Sequence, residues 1–146
     1  MNNLLIKKID KKYLIAHLGE FLEIVKDIPN EYWTKENFLS ELPGKWDFSF
    51  YVSNSFEKLI GYIIVSDKIR CVHIHKLMVH HDFRGKNIGH ELLSFLESHL
   101  KTANKSHLSL KVSTSNLKAI KFYVREGFNI VNNGELYLEM EKDLLT

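Results

Sequence analysis

The chain has 146 residues and is short of several residue types, and each shortage removes a class of protein. A single cysteine, Cys71, permits no internal disulfide, which fits a reducing compartment and a cytoplasmic location. Two prolines and seven glycines are too few for a fibrous or low-complexity chain. No apolar run approaches the roughly 18 residues that a membrane-spanning helix needs. The opening residues, Met-Asn-Asn-Leu-Leu-Ile-Lys-Lys, lack the charged head and apolar core of a signal peptide. What is present is 45% hydrophobic and 26% charged, so one globular domain over residues 1–146 is expected, away from membranes.

The net charge of +2 conceals an asymmetry. Residues 68–126 carry eleven Lys/Arg against four Asp/Glu, and the remainder carries nine against fourteen. Such blocks are either solvated faces or a basic segment that attracts a polyanion. No basic run with interleaved aromatics occurs, so a phosphate-bearing small molecule is favoured over nucleic acid.

Periodicity divides the chain into alternating elements. Residues 3–9 read as a strand. Asp10 caps a helix with the stripe Leu14, Leu18, Phe21, Leu22, Val25 and Ile28, which Pro29-Asn30 ends. Thr34 caps a short second helix that Pro43-Gly44 stops. Residues 46–53 and 59–66 form a hairpin across 54–58, and 69–79 is another strand. Ile88, Leu92, Phe95, Leu96 and Leu100 mark a third helix, 107–113 a strand, and 116–126 a fourth helix. Strands at 128–131 and 136–140 flank Asn132-Asn133-Gly134, a turn signal. The predicted order is β-α-α-β-β-β-α-β-α-β-β, a mixed sheet with packed helices, α/β or α+β.

The junction richest in chemistry runs from the 69–79 strand through His80-His81-Asp82-Phe83 into Arg84-Gly85-Lys86-Asn87-Ile88-Gly89-His90 and a helix. A helix N-terminus leaves about four backbone N–H groups without partners and carries partial positive charge. Glycines let backbone approach an anion, and Arg84 and Lys86 add full charges, so the segment reads as a pyrophosphate cradle or, alternatively, as a plain structural turn. Gly85 and Gly89 complete neither a Walker loop nor a dinucleotide fingerprint. Downstream, Asn116, Ala119 and Tyr123 fall near one helix face, before Gly127-Phe128. Taken singly, these residues also suit a cap, a close-packing residue, a core tyrosine and a C-terminal glycine.

Together, Arg84, Gly89, Asn116, Ala119, Tyr123, Gly127 and Phe128 match in register two patterns, Gln/Arg-x-x-Gly-x-Gly/Ala and Asn-x-x-Ala-x-x-x-Tyr-x-x-x-Gly-Phe. In these motifs and in element order the chain resembles the GNAT superfamily of acetyl-coenzyme A-dependent N-acetyltransferases. One departure is Asn87, which stands where the first motif glycine belongs, and Asn is the residue after Gly that best tolerates positive φ.

The resemblance implies a GNAT-like fold, a mostly antiparallel twisted sheet with helices on both faces, and direct acetyl transfer to a primary amine. In that family the strand before the cradle bulges and splays, and its backbone, here Leu77, Met78 and Val79, holds the pantetheine arm and the acetyl oxygen. Arg84 to His90 (Gly85, Lys86, Asn87, Ile88 and Gly89 between them) would take the pyrophosphate. Asn116 and Ala119 would meet the pantetheine, and Tyr123 would return a proton to the thiolate.

The implied base is open. His73, with His75 two residues on and pointing the same way, occupies one family position for it; Lys111 fills the other, which argues against the ribosomal-protein subfamily. Two satisfied strand histidines are the competing reading. Tyr32, Trp33, Trp46, Phe48 and Tyr51, with Glu31, Glu36 or Glu41, are candidates for the acceptor wall. No metal is expected, because His73-x-His75 and His80-His81 lack accompanying ligand patterns. A small-molecule amine is the leading acceptor and a protein N-terminus or lysine the second. A non-catalytic acyl-coenzyme A sensor and a family-typical homodimer are further alternatives.

Overall fold

The computed structural model describes residues 4–28 and 32–145. Its elements are β1 (Leu5–Lys8), α1 (Lys11–Ala16), α2 (Leu18–Val25), α3 (Lys35–Leu39), α4 (Lys45–Phe48), β2 (Phe50–Ser53), β3 (Leu59–Asp67), β4 (Val72–Val79), a 3-10 turn (His81–Phe83), α5 (Ile88–Thr102), β5 (His107–Ser113), α6 (Leu117–Arg125), β6 (Asn129–Asn133) and β7 (Tyr137–Asp143). The seven strands form one sheet in the order β1-β2-β3-β4-β5-β7-β6. Only the β4–β5 pair is parallel; the rest are antiparallel, as expected of the mixed sheet.

Two apolar clusters sandwich the sheet. On one face, Leu92, Leu93, Leu96 and Leu100 of α5 pack with Tyr123 of α6 onto Val65, Val72, Ile74, Leu108 and Leu110. On the other, Phe21, Ile24 and Phe38 from α2 and α3 meet Tyr62, Ile64 and Met78. Leu92 and Leu96 are fully buried, so truncating either to Ala would cost about 2–5 kcal/mol.

Several expected boundaries shift, each for a local reason. The first helix breaks at His17 into α1 and α2, although its apolar stripe still faces the sheet. Asp10 caps it as expected, its carboxylate accepting from Tyr13 N at 2.7 Å. Residues 46–48 are helical and not strand: Gly44, at φ 71°, starts a turn in which Asp47 and Phe48 N–H donate to its carbonyl. Buried Lys45 fastens that turn by donating to the carbonyls of Phe38 and Ser40. β4 begins at Val72 and not at 69, because Asp67 accepts from Ile69 N and Ile69 turns to φ 75°. Asn132 and Asn133 stay within β6, and the reversal falls at Gly134, whose N–H donates to Tyr137 O. The strand start at Asn3 and the Pro29-Asn30 helix stop lie outside the described residues.

Candidate functional site

Strand β4 changes character halfway along. In the β3–β4 register Ile64 faces Lys76 while Val65 faces Ile74, so His75 is an extra residue, a bulge. A bulge places two successive residues opposite one and bends the strand. Upstream of it, Val72 and Ile74 point toward α5 and α6; downstream, Leu77 and Val79 do, so the alternation is rephased. The parallel pairing with β5 ends at Ile74–Leu110. Beyond that point no strand among the described residues pairs with the β5-facing edge of β4, and a slot opens between the two. Its cavity is about 230 Å³, lined by Leu77, Met78 and Val79 on β4, Leu110, Lys111 and Val112 on β5, and Asn116, Ala119, Phe122 and Tyr123 on or capping α6.

The cofactor motifs converge on this slot. Arg84 and Gly89 line it, and Gly85, Lys86, Asn87, Ile88 and His90 line the contiguous hollow that shares Val79, Arg84 and Gly89 with it. Asn87 sits at φ 67°, the left-handed conformation its side chain tolerates, and provides no side-chain cap to α5. The first N–H groups of a 15-residue helix are therefore left for an anion. Gly89 lies on the first turn of α5, where a Cβ would stand 3.3 Å from the Phe122 ring. His90 is tied elsewhere, its Nδ1 2.8 Å from Glu126 Oε1, which leaves its backbone for a ligand. Arg84 donates through Nε to Val79 O at 3.1 Å and through a terminal nitrogen to Asp27 at 3.3 Å. Asn116 caps α6 by accepting from Ala119 N, and buried Tyr123 packs against Phe122 and Phe128.

On the opposite face of the sheet stand the two histidines. Their rings meet edge to face with centroids 4.8 Å apart. His75 lines the slot; His73 stands behind it and does not. The Ser66 hydroxyl lies 2.8 Å from His75 Nε2 and that of Ser109 2.9 Å from His73 Nδ1, fixing both rings. Burial lowers both pKa values. His75 is pushed down to about 4, with His73, Lys68, Lys45 and Lys76 adding to the effect. Lys68 and Lys111 push His73 down as well, against Glu139. Both imidazoles are therefore neutral at pH 7.

Of the expected acceptor wall, Trp33 approaches this mouth, its ring 6.0 Å from His75. Tyr51 stacks on Tyr13, Phe48 packs toward the α5 face, and Glu41 pairs with Lys11 and the Trp46 indole. Glu31 lies outside the described residues. Lys76, Lys118 and Phe122, and Ile28 of the first helix's apolar stripe, line the slot although the sequence did not mark them as site residues. His80, His81 and Asp82 come within 4.8 Å of one another outside the slot lining.

A slot between splayed strands, beneath a basic glycine turn and beside an Asn-Ala-Tyr helix face, has the form of an acyl-coenzyme A acyltransferase site. The model of the acetyltransferase (GNAT) family matches residues 18–128, and the chain belongs to that family. An uncharacterized N-acetyltransferase of Methanocaldococcus jannaschii is 33% identical over 111 residues, 73% of this chain and 71% of that protein. Among solved structures, Ard1 of Thermoplasma volcanium superposes with a TM-score of 0.82 at 23% identity, covering 99% of both chains. The PaiA N-acetyltransferase of Thermoplasma acidophilum, solved with coenzyme A, gives 0.75 at 19% identity over 96% of this chain and 98% of that one. The fold is thus that of GNAT acyltransferases, and the protein is an N-acetyltransferase of that family.

Proposed function

We propose that the protein transfers the acetyl group of acetyl-coenzyme A directly to a primary amine, in a ternary complex assembled across the β4–β5 slot, and that the acceptor is a small molecule. One observation carries this reading: a single cavity reaches from Asn116, Ala119 and Tyr123 on one face of the sheet to His75 on the other. The pantetheine arm lies along the unpaired edge of Leu77–Val79, and the diphosphate rests on the α5 N-terminus with Arg84 and Lys86. The amine enters from the His75 side and attacks the thioester carbonyl carbon. His75 takes the ammonium proton, directly or through water. The carbon–sulfur bond breaks, and the Tyr123 hydroxyl protonates the departing thiolate. A phenol, with an ordinary pKa of about 10, suits that last step. The protein would act as one domain in the cytoplasm.

Thiol release from acetyl-coenzyme A over a panel of amines tests the reading. Release matched mole for mole by acetylated amine is expected. Calorimetric binding of acetyl-coenzyme A with no amine-dependent release would overturn it in favour of a sensor.

A further inference from the structure

The slot lining contains four cationic side chains, Lys76, Arg84, Lys111 and Lys118, and no carboxylate among the described residues. Arg84 and Lys118 stand on the side of α5 and α6, where an anionic cofactor accounts for them. Lys111 does not belong to that side. Leu108, Leu110 and Val112 of β5 point into the α5–α6 cluster, so Ser109 and Lys111 point the other way, onto the face of the histidines. Lys111 is exposed and sits one residue past the last β4–β5 pair, at the acceptor mouth. Its cross-strand neighbour is Glu139, whose carboxylate accepts from Asn132 Nδ2 at 2.9 Å, acts on His73 as well, and lies outside the slot lining.

We infer that the acceptor is a primary amine that carries its own anionic group, a carboxylate or phosphate near the amino group, and that Lys111 receives this anion. The inference rests on the transfer reading above and narrows it. A polycationic acceptor would bring several ammonium groups against Lys111 with no carboxylate among the described lining residues to hold them. The state of His75 points the same way. Burial and the surrounding cations leave it a weak proton acceptor, and an anion brought into the mouth raises it toward the range where imidazole acts as a base.

The test uses acetyl-coenzyme A and three matched pairs of amines: β-alanine against 3-aminopropanamide, O-phosphoethanolamine against ethanolamine, and a short peptide beginning with Asp against one beginning with Asn. Spermidine serves as the polycation. In at least one pair the anionic member should be favoured roughly tenfold in kcat/KM, and the pair that responds identifies the source of the anion. Lys111→Gln should erase the preference and Lys111→Glu reverse it. Equal turnover within every pair, spermidine as the best acceptor, or an unchanged preference in Lys111→Glu would overturn the inference. Calorimetry of the same amines on the coenzyme A-loaded protein separates the two readings. Anionic preference in binding without thiol release sinks the transfer reading alone; release without preference sinks this one.

Discussion

The two sides of the β4–β5 slot are made of different material. On the side proposed for the cofactor the lining comes from backbone and small residues: Gly85 at φ 76°, Asn87 at φ 67°, Gly89 against Phe122, Ala119, and the edge of Leu77–Val79 that β5 leaves. On the side proposed for the acceptor it comes from long side chains on strands, His75, Lys76 and Lys111, with His73 behind them and Ser66 and Ser109 steadying the two histidines. Recognition by backbone requires particular residues at fixed spacing, because only some residues tolerate positive φ or close approach. Recognition by strand side chains requires only the right face, and almost any residue type can stand there.

The largest effect expected is at the residue that joins the two sides. Tyr123→Phe keeps the ring packed between Phe122 and Phe128 and removes only the hydroxyl. Turnover should fall by about 10²–10³, while the dissociation constant for acetyl-coenzyme A changes by less than about twofold. Equal losses in both would assign Tyr123 to packing and blur the distinction between the two sides.

Next comes the histidine pair, which tests the acceptor side. His75→Ala should lower kcat by about 10², and His73→Ala by about tenfold or less, since only His75 lines the slot. A reversed order would move the base one pleat back. The pH dependence separates them further. In the unfolded chain His75 takes up its proton near 6.5, and in the folded protein only near 4. The unfolded state therefore binds more protons between these values, and stability drops as pH falls from 6.5 toward 4. His75→Ala should flatten this slope in denaturant titrations. The acidic limb of kcat for the wild-type protein should lie below 6.5 with a neutral acceptor, and it should shift in His75→Ala.

On the cofactor side, Gly89→Ala places a methyl group 3.3 Å from the Phe122 ring, closer than the ring accepts without moving. Affinity for coenzyme A, read by calorimetry, should fall about three- to tenfold with kcat at saturation little changed. An unaltered affinity would mean that the close approach at Gly89 serves helix packing alone.

The difference between the sides also explains what was legible in the sequence. The residues expected to hold the cofactor are picked out by motif spacing together with the resemblance to the GNAT family, and they gather around the slot, with Asn87 at the positive φ that its residue type tolerates. The histidines were found as a pair facing one way, but which of them meets the slot depends on a bulge that places His75 and Lys76 opposite a single stretch of β3, and no residue type announces that bulge. Lys76 reads as an ordinary strand lysine, and Lys111 only as the residue that fills the family's second base position, until the pairing of β4 with β5 is seen to end at Ile74. The misplaced element starts have the same origin. The aromatic run at 46–48 has strand character, but tertiary bonds from Lys45 to the carbonyls of Phe38 and Ser40 hold it in a helical turn.

The smallest effect concerns the link between the sides. Asp27 follows α2, next to Ile28 of the slot lining, and its carboxylate meets both Arg84 and His81, at 3.3 and 3.2 Å. Arg84 is thus shared between a carboxylate and the place where a diphosphate would rest. Exposed ion pairs are worth up to about 1 kcal/mol, so the competition is mild. Asp27→Asn should raise affinity for coenzyme A by no more than about fivefold, with the gain shrinking as salt is added. A fall in affinity would show the reverse arrangement, in which Asp27 aims Arg84 at the diphosphate and the acceptor-side helix takes part in holding the cofactor.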